Sequence, residues 1–127
     1  MLKSNEVRIG NDVLYMDTDT PEFVRIKIEK ADIILLCEGI QGYNYKGVPL
    51  TKQIVSTIKC IKNFDVNYTG GIISINTQTH LVIREFMGTW NIYVRCHHER
   101  VAEYLDVKLH QLQNLVYSLN GTELEMV

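Results

Sequence analysis

Apolar positions recur with two different periods along this chain, and the clearest run closes it. Rotating about 100° per residue from Leu109 places Leu112, Leu115, Val116 and Leu119 on one arc, with His110, Gln113, Asn114 and Tyr117 on the other. This spacing predicts an amphipathic helix over 106–121. Asp106 is its expected cap, accepting from a free backbone N–H, and Gly121 its expected stop, since glycine takes a left-handed conformation without steric cost. The polar arc carries no carboxylate, lysine or arginine, which sets it apart from an ordinary solvated face.

Upstream, a Gly10-Asn11-Asp12 turn leads into a strand over 12–16, and Val24, Ile26 and Ile28 alternate with Arg25, Lys27 and Glu29 as in a half-buried strand. The unbroken apolar run over 33–37 predicts a central strand covered on both faces. Gly39, Gly42 and Gly47, with Tyr43 and Tyr45 among them, mark a short hairpin or a loop. Thr51 is placed to cap a first helix, in which Ile54, Val55, Ile58 and Ile61 recur at helical spacing through about Cys60 before 62–65 ends it. Three alternating segments, 71–76, 80–86 and 90–96, are separated by short polar or glycine-bearing links and predict an antiparallel meander. In the third, Trp90, Ile92 and Val94 share one face and Asn91, Tyr93 and Arg95 the other. Residues 97–100 read as a polar turn and 101–105 as a last short strand. The expected architecture is one α+β domain over 1–127, with about six or seven mostly antiparallel strands and two helices, the C-terminal one closing the core.

Composition narrows the setting. With 127 residues, 46% hydrophobic and 22% charged, the chain can bury a core without disulfide staples, and no run is long enough to span a bilayer. The first residues lack an apolar signal core, so a cytoplasmic location without membrane attachment is expected. Cys37, Cys60 and Cys96 are an odd set, which favours reduced thiols. A net charge of -2, with basic residues dispersed along the sequence, argues against a non-specific nucleic-acid partner while leaving room for a small anionic ligand.

Motif chemistry is sparse. Cys96, His97 and His98 lack zinc-ligand spacing, the glycines form no phosphate-binding fingerprint, and no nucleophile elbow is present; no catalytic residue, cofactor or metal ligand is nominated. For the polar helical arc of His110, Gln113, Asn114 and Tyr117, hydrogen bonds fastening the helix to neighbouring strands, or a solvated face, are favoured over a pocket. The binding candidates are Arg84, Tyr93 and Arg95 on one meander face, together with Tyr43 and Tyr45. Aromatic rings can stack on a base while arginine forks hold phosphate, but cross-strand packing on a wet face is the favoured account of this pattern.

The tail His110-Gln111-Leu112-Gln113-Asn114-Leu115, followed by Leu119-Asn120-Gly121-Thr122-Glu123-Leu124, resembles one shared by a family of small proteins of Bacteroidetes bacteria, their phages and mobile elements. Arg8-Ile9-Gly10-Asn11 and Val48-Pro49-Leu50-Thr51 agree in order with the same family. Val116 and Ser118 stand where it has an aromatic residue and alanine, and Asn120 where threonine is usual. The resemblance implies a phage or prophage setting in a bacterial host and assigns no activity. The function expected from it is non-enzymatic binding: counter-defence by blocking a host protein, or capture of a small nucleotide signal by a homo-oligomer. A small hydrolase or metal-dependent enzyme, and a phage structural or packaging component, are the competing classes.

Overall fold

The computed structural model describes residues 2–16, 22–38, 44–65 and 70–126, and only the backbone of 63–65. It is an α+β fold with two antiparallel sheets. Contacts divide the chain into two units, Met1–Pro49 with Lys108–Leu115, and Leu50–Val107 with Val116–Val127.

In the first unit the chain turns over 8–11, where Gly10 takes a φ of 94° and the Asn11 N–H donates to the Arg8 carbonyl at 3.0 Å. Strand β1 (Asp12–Tyr15) leaves this turn and lies between β2 (Val24–Lys27) and β3 (Tyr45–Gly47), giving the order β2-β1-β3. Val13, Ile28, Leu36 and Tyr45 are buried together with Leu2, each full burial stabilising the unit by about 1.5–3 kcal/mol before entropy is counted.

The run over 33–37, expected as a central strand, lies instead within helix α1 (Lys30–Glu38). A continuous apolar run does not distinguish a buried strand from a helix, and here local bonding decides. Asp32, in the first turn, accepts the Glu29 backbone N–H at 2.8 Å through Oδ2, satisfying a donor that a helix start leaves unpaired. Its other oxygen accepts from the Tyr45 hydroxyl at 2.7 Å. Burial follows helical spacing: Leu36 is buried, Ile33 half-buried, and Ile34 is 51% exposed.

The second unit begins with α2 (Lys52–Ser56), where Thr51 caps as expected by accepting from the Ile54 N–H at 3.2 Å. The helix is shorter than its apolar spacing implied. It closes at Thr57, and Ile61, expected as its last apolar contact, instead starts strand β4 (Ile61–Asp65). There follow β5 (Gly70–Ser74), β6 (Thr79–Phe86), β7 (Thr89–Cys96) and β8 (Glu99–Tyr104) in the order β4-β5-β6-β7-β8. The predicted meander is therefore present, with the strand expected over 101–105 at one edge, starting earlier at Glu99, and the unexpected β4 at the other. Ile73, Leu81, Ile83, Trp90, Ile92 and Val94 are buried, which confirms the assignment of the Trp90, Ile92 and Val94 face to the core.

Helix α3 (Leu109–Asn120) contributes buried residues to each unit: Leu109 and Leu112 to the first, Val116 to the second. Gly121 ends it at a φ of 75°, its N–H donating to the Tyr117 carbonyl at 2.8 Å, as expected. The start differs from expectation. Asp106 precedes the helix in a left-handed conformation and its N–H donates to Asn91 Oδ1 at 3.0 Å, whereas Gln111 reaches back to accept the Lys108 N–H at 2.8 Å. This is the same third-residue device that Asp32 uses in α1.

Candidate functional site

The polar arc of α3 is structural in the first unit. Gln113, buried, accepts the Asp12 backbone N–H at 2.9 Å through Oε1 and donates through Nε2 to Asp12 Oδ2 at 2.7 Å. A carboxamide is suited to this position because one group both accepts and donates. The carboxylate also faces Lys27 and Arg25 of β2, each at 3.5 Å. Asn114 accepts from Asn11 Nδ2 at 2.9 Å and donates to the Glu6 carbonyl at 3.2 Å. Gln113 and Asn114 thus fasten the helix to β1 and the turn before it, one of the two arrangements favoured from sequence. In the second unit Tyr117 is 41% exposed.

His110 is buried, and its Nδ1 has no hydrogen-bond partner among the described residues. Burial pushes its pKa below the ordinary value; Lys108 adds to the depression and Glu6 opposes it. Gly47 lies directly beside it, since a Cβ there would come within 2.9 Å of His110 Cε1 and 2.8 Å of Lys108 Cγ.

In the second unit the sheet face opposite the core gathers the candidate ligand groups. Strand pairing fixes two rows across it. Lys62, Ile72, Val82, Tyr93 and Glu103 stand in consecutive register on the five strands. Ser74, His80, Arg95 and Arg100 form the adjacent row, and Arg84 stands opposite Asn91 on the far side of Tyr93. Val82, Arg84, Tyr93, Arg95 and Arg100 enclose an open cavity of about 330 Å³, within the size range of small-ligand sites. Its lining is mainly polar, with three arginines around Tyr93 and the buried Val82 beneath. The Arg100 guanidinium lies 3.9 Å above the centre of the Tyr93 ring, and Glu103 stands 3.8 Å from Arg100. Among the described residues, Arg84 and Arg95 have no hydrogen-bond or ion-pair partner.

A β-bulge completes this set. Val94 pairs with Ala102, but Arg95 pairs with Arg100 because Val101 is an extra residue on β8. In a regular ladder Val101 would stand beside Arg95, and Arg100 would belong to the opposite face.

The structure therefore brings Arg84, Tyr93 and Arg95 together. Tyr45 belongs to the first unit, where it is 1% exposed and donates its hydroxyl to Asp32; burial, followed by that hydrogen bond and the Asp32 charge, raises its pKa. Tyr43 lies outside the described residues. Sequence reasoning missed Lys62, assigned to the end of a helix, and Arg100, assigned to a turn. The signal for Arg100 was the His97-His98 turn, whose residues take φ values of 53° and 70° and after which β8 starts at Glu99; for Lys62 it was only the alternation of Ile61, Lys62, Asn63 and Phe64.

Gln113→Leu removes a partner from a buried N–H and from a buried carboxylate, so it should lower unfolding free energy by about 2–4 kcal/mol, read from urea midpoints at unchanged m-value. Because the folded-state pKa of His110 is depressed, the unfolded chain binds the proton first. Stability should therefore fall as pH drops below the unfolded value of about 6.5 and level off below the folded pKa; His110→Gln should remove that component in urea titrations at each pH.

No protein-family model matches the chain, and comparison with curated proteins and with solved structures likewise finds no match.

Proposed function

We propose that this protein acts by binding, and that the open face of the five-stranded sheet takes an anionic ligand bearing a flat ring, with nucleotides as the chemical class. The observation that carries this reading is the arrangement of Arg84, Arg95 and Arg100 around Tyr93. Guanidinium forks match phosphate oxygens, and the exposed guanidinium stacked on Tyr93 offers a planar surface for a base. Because the Arg84 and Arg95 side chains have no partner among the described residues, a phosphate would displace no ion pair formed there.

The phage setting implied by the C-terminal resemblance gives such binding a role, capture of a nucleotide signal of a host defence system. Blocking a host protein is the second reading, supported by the exposed Phe86 and Met87 at the β6–β7 turn.

A thermal-shift screen of nucleoside monophosphates, cyclic di- and trinucleotides and ADP-ribose derivatives should raise the melting temperature with at least one ligand. Arg84→Ala and Arg95→Ala should each weaken that ligand by about 1.5–3 kcal/mol, the worth of a hydrogen bond to a charged group, while leaving stability within about 0.5 kcal/mol. No shift with any ligand, or binding indifferent to both substitutions, would remove the proposal.

A further inference from the structure

The face extends beyond one ligand-sized cavity. The open groove that contains Arg84, Tyr93 and Arg95 continues to Phe86, whose side chain is 65% exposed at the end of β6. In the other direction, a second depression shares Ile72, Val82 and Arg95 with it and reaches Lys62, His80 and the His97-His98 turn. Shared lining residues make these one track running along β6 and β7.

Two ring platforms stand on this track. Tyr93 pairs with Val82, and Phe86 follows Val82 by four residues on the same face, about 14 Å further at a rise of about 3.4 Å per residue. The single base of a mononucleotide stacks on only one of them at a time. Arg84 lies between the platforms, and Arg95 and Arg100 lie beyond Tyr93, so cation and ring positions alternate along the strand direction. Glu103 is held at Arg100, leaving Arg84, Arg95 and Lys62 as the cations that face the groove without a carboxylate partner among the described residues.

Resting on the nucleotide-binding reading above, we infer that the occupant of this face is a single-stranded nucleic acid laid along β6 and β7, its phosphates on the arginines and its bases on the Arg100–Tyr93 stack and on Phe86. Stacking platforms of this kind need bases that are not already paired and stacked in a duplex, which selects a single strand. This departs from the expectation drawn from the net charge of -2 and the dispersed basic residues, because steering depends on the local field of one face, and the sheet register gathers cations that are apart in sequence.

The test uses fluorescence anisotropy with labelled oligo-dT and oligo-U ladders, from a mononucleotide to about ten nucleotides, with a duplex of matched length; the two ladders separate DNA from RNA as the source. Affinity should rise by at least about tenfold from the mononucleotide to about six nucleotides and then level off, with the duplex weaker. Neutralising about two to three phosphates should weaken the longer oligonucleotides by about tenfold between 50 and 200 mM salt. Phe86→Ala, at an exposed position compatible with folding, should weaken the longer oligonucleotides by about fivefold or more and the mononucleotide, which keeps the Arg100–Tyr93 stack, much less. An affinity that does not change with length, a duplex bound as tightly as the single strand, or a Phe86→Ala protein with an unaltered length profile would overturn the inference. If mononucleotide binding remained sensitive to Arg84→Ala in those cases, the nucleotide-binding reading would survive; absence of binding by any nucleotide would remove both.

Discussion

Strand register is the constraint on which the candidate site depends. Side chains alternate between the faces of a sheet, so a slip of one residue would bring Arg84, Tyr93 and Arg95 toward the core and expose Ile83, Ile92 and Val94. Burial of these apolar residues holds the register, and the cationic face is its consequence. The same packing that stabilises the sheet therefore positions the groups available to a ligand. The irregularity at β8 is part of this arrangement: the extra residue, Val101, turns outward and Arg100 takes the position beside Arg95 and above Tyr93.

A different constraint governs the first unit, where Asp12 is buried on the central strand of its sheet. A carboxylate removed from water must be fully hydrogen-bonded or neutralised, and here the bonding comes from a carboxamide on α3 with cations on β2. This explains why the polar arc of the helix lacks charge. Glutamate at position 113 would repel Asp12 and could not donate when ionised, and lysine could not accept the Asp12 N–H. Asn114 applies the same two-way chemistry to Asn11 and the Glu6 carbonyl.

Much of this was legible in the sequence where one period dominated. The meander, the burial of Trp90, Ile92 and Val94, and the Gly121 stop follow from alternation and from glycine's freedom at positive φ. The run over 33–37 was misread because apolar continuity fits two structures, while the deciding bond between Asp32 and the Glu29 N–H is local and polar. The end of α2 was misread because Ile61 fits a helical spacing as well as a strand start. At the site, Arg84, Tyr93 and Arg95 were nominated by alternation alone. Arg100 was not, since its place depends on a bulge, and a bulge is a property of two strands together. Tyr45 was nominated for its type and proximity to glycines, but its ring is used in the core.

The central claim is that the wet face of the five-stranded sheet is where a nucleotide-class ligand is held. Its most direct test is to follow the Nε–Hε resonances of Arg84, Arg95 and Arg100 by NMR during titration with a short oligonucleotide. The account predicts that these three resonances shift together and saturate at one ligand concentration, with backbone amides of β6 and β7 following. Perturbations confined to the first unit, with all three arginine resonances unmoved at saturation, would contradict it.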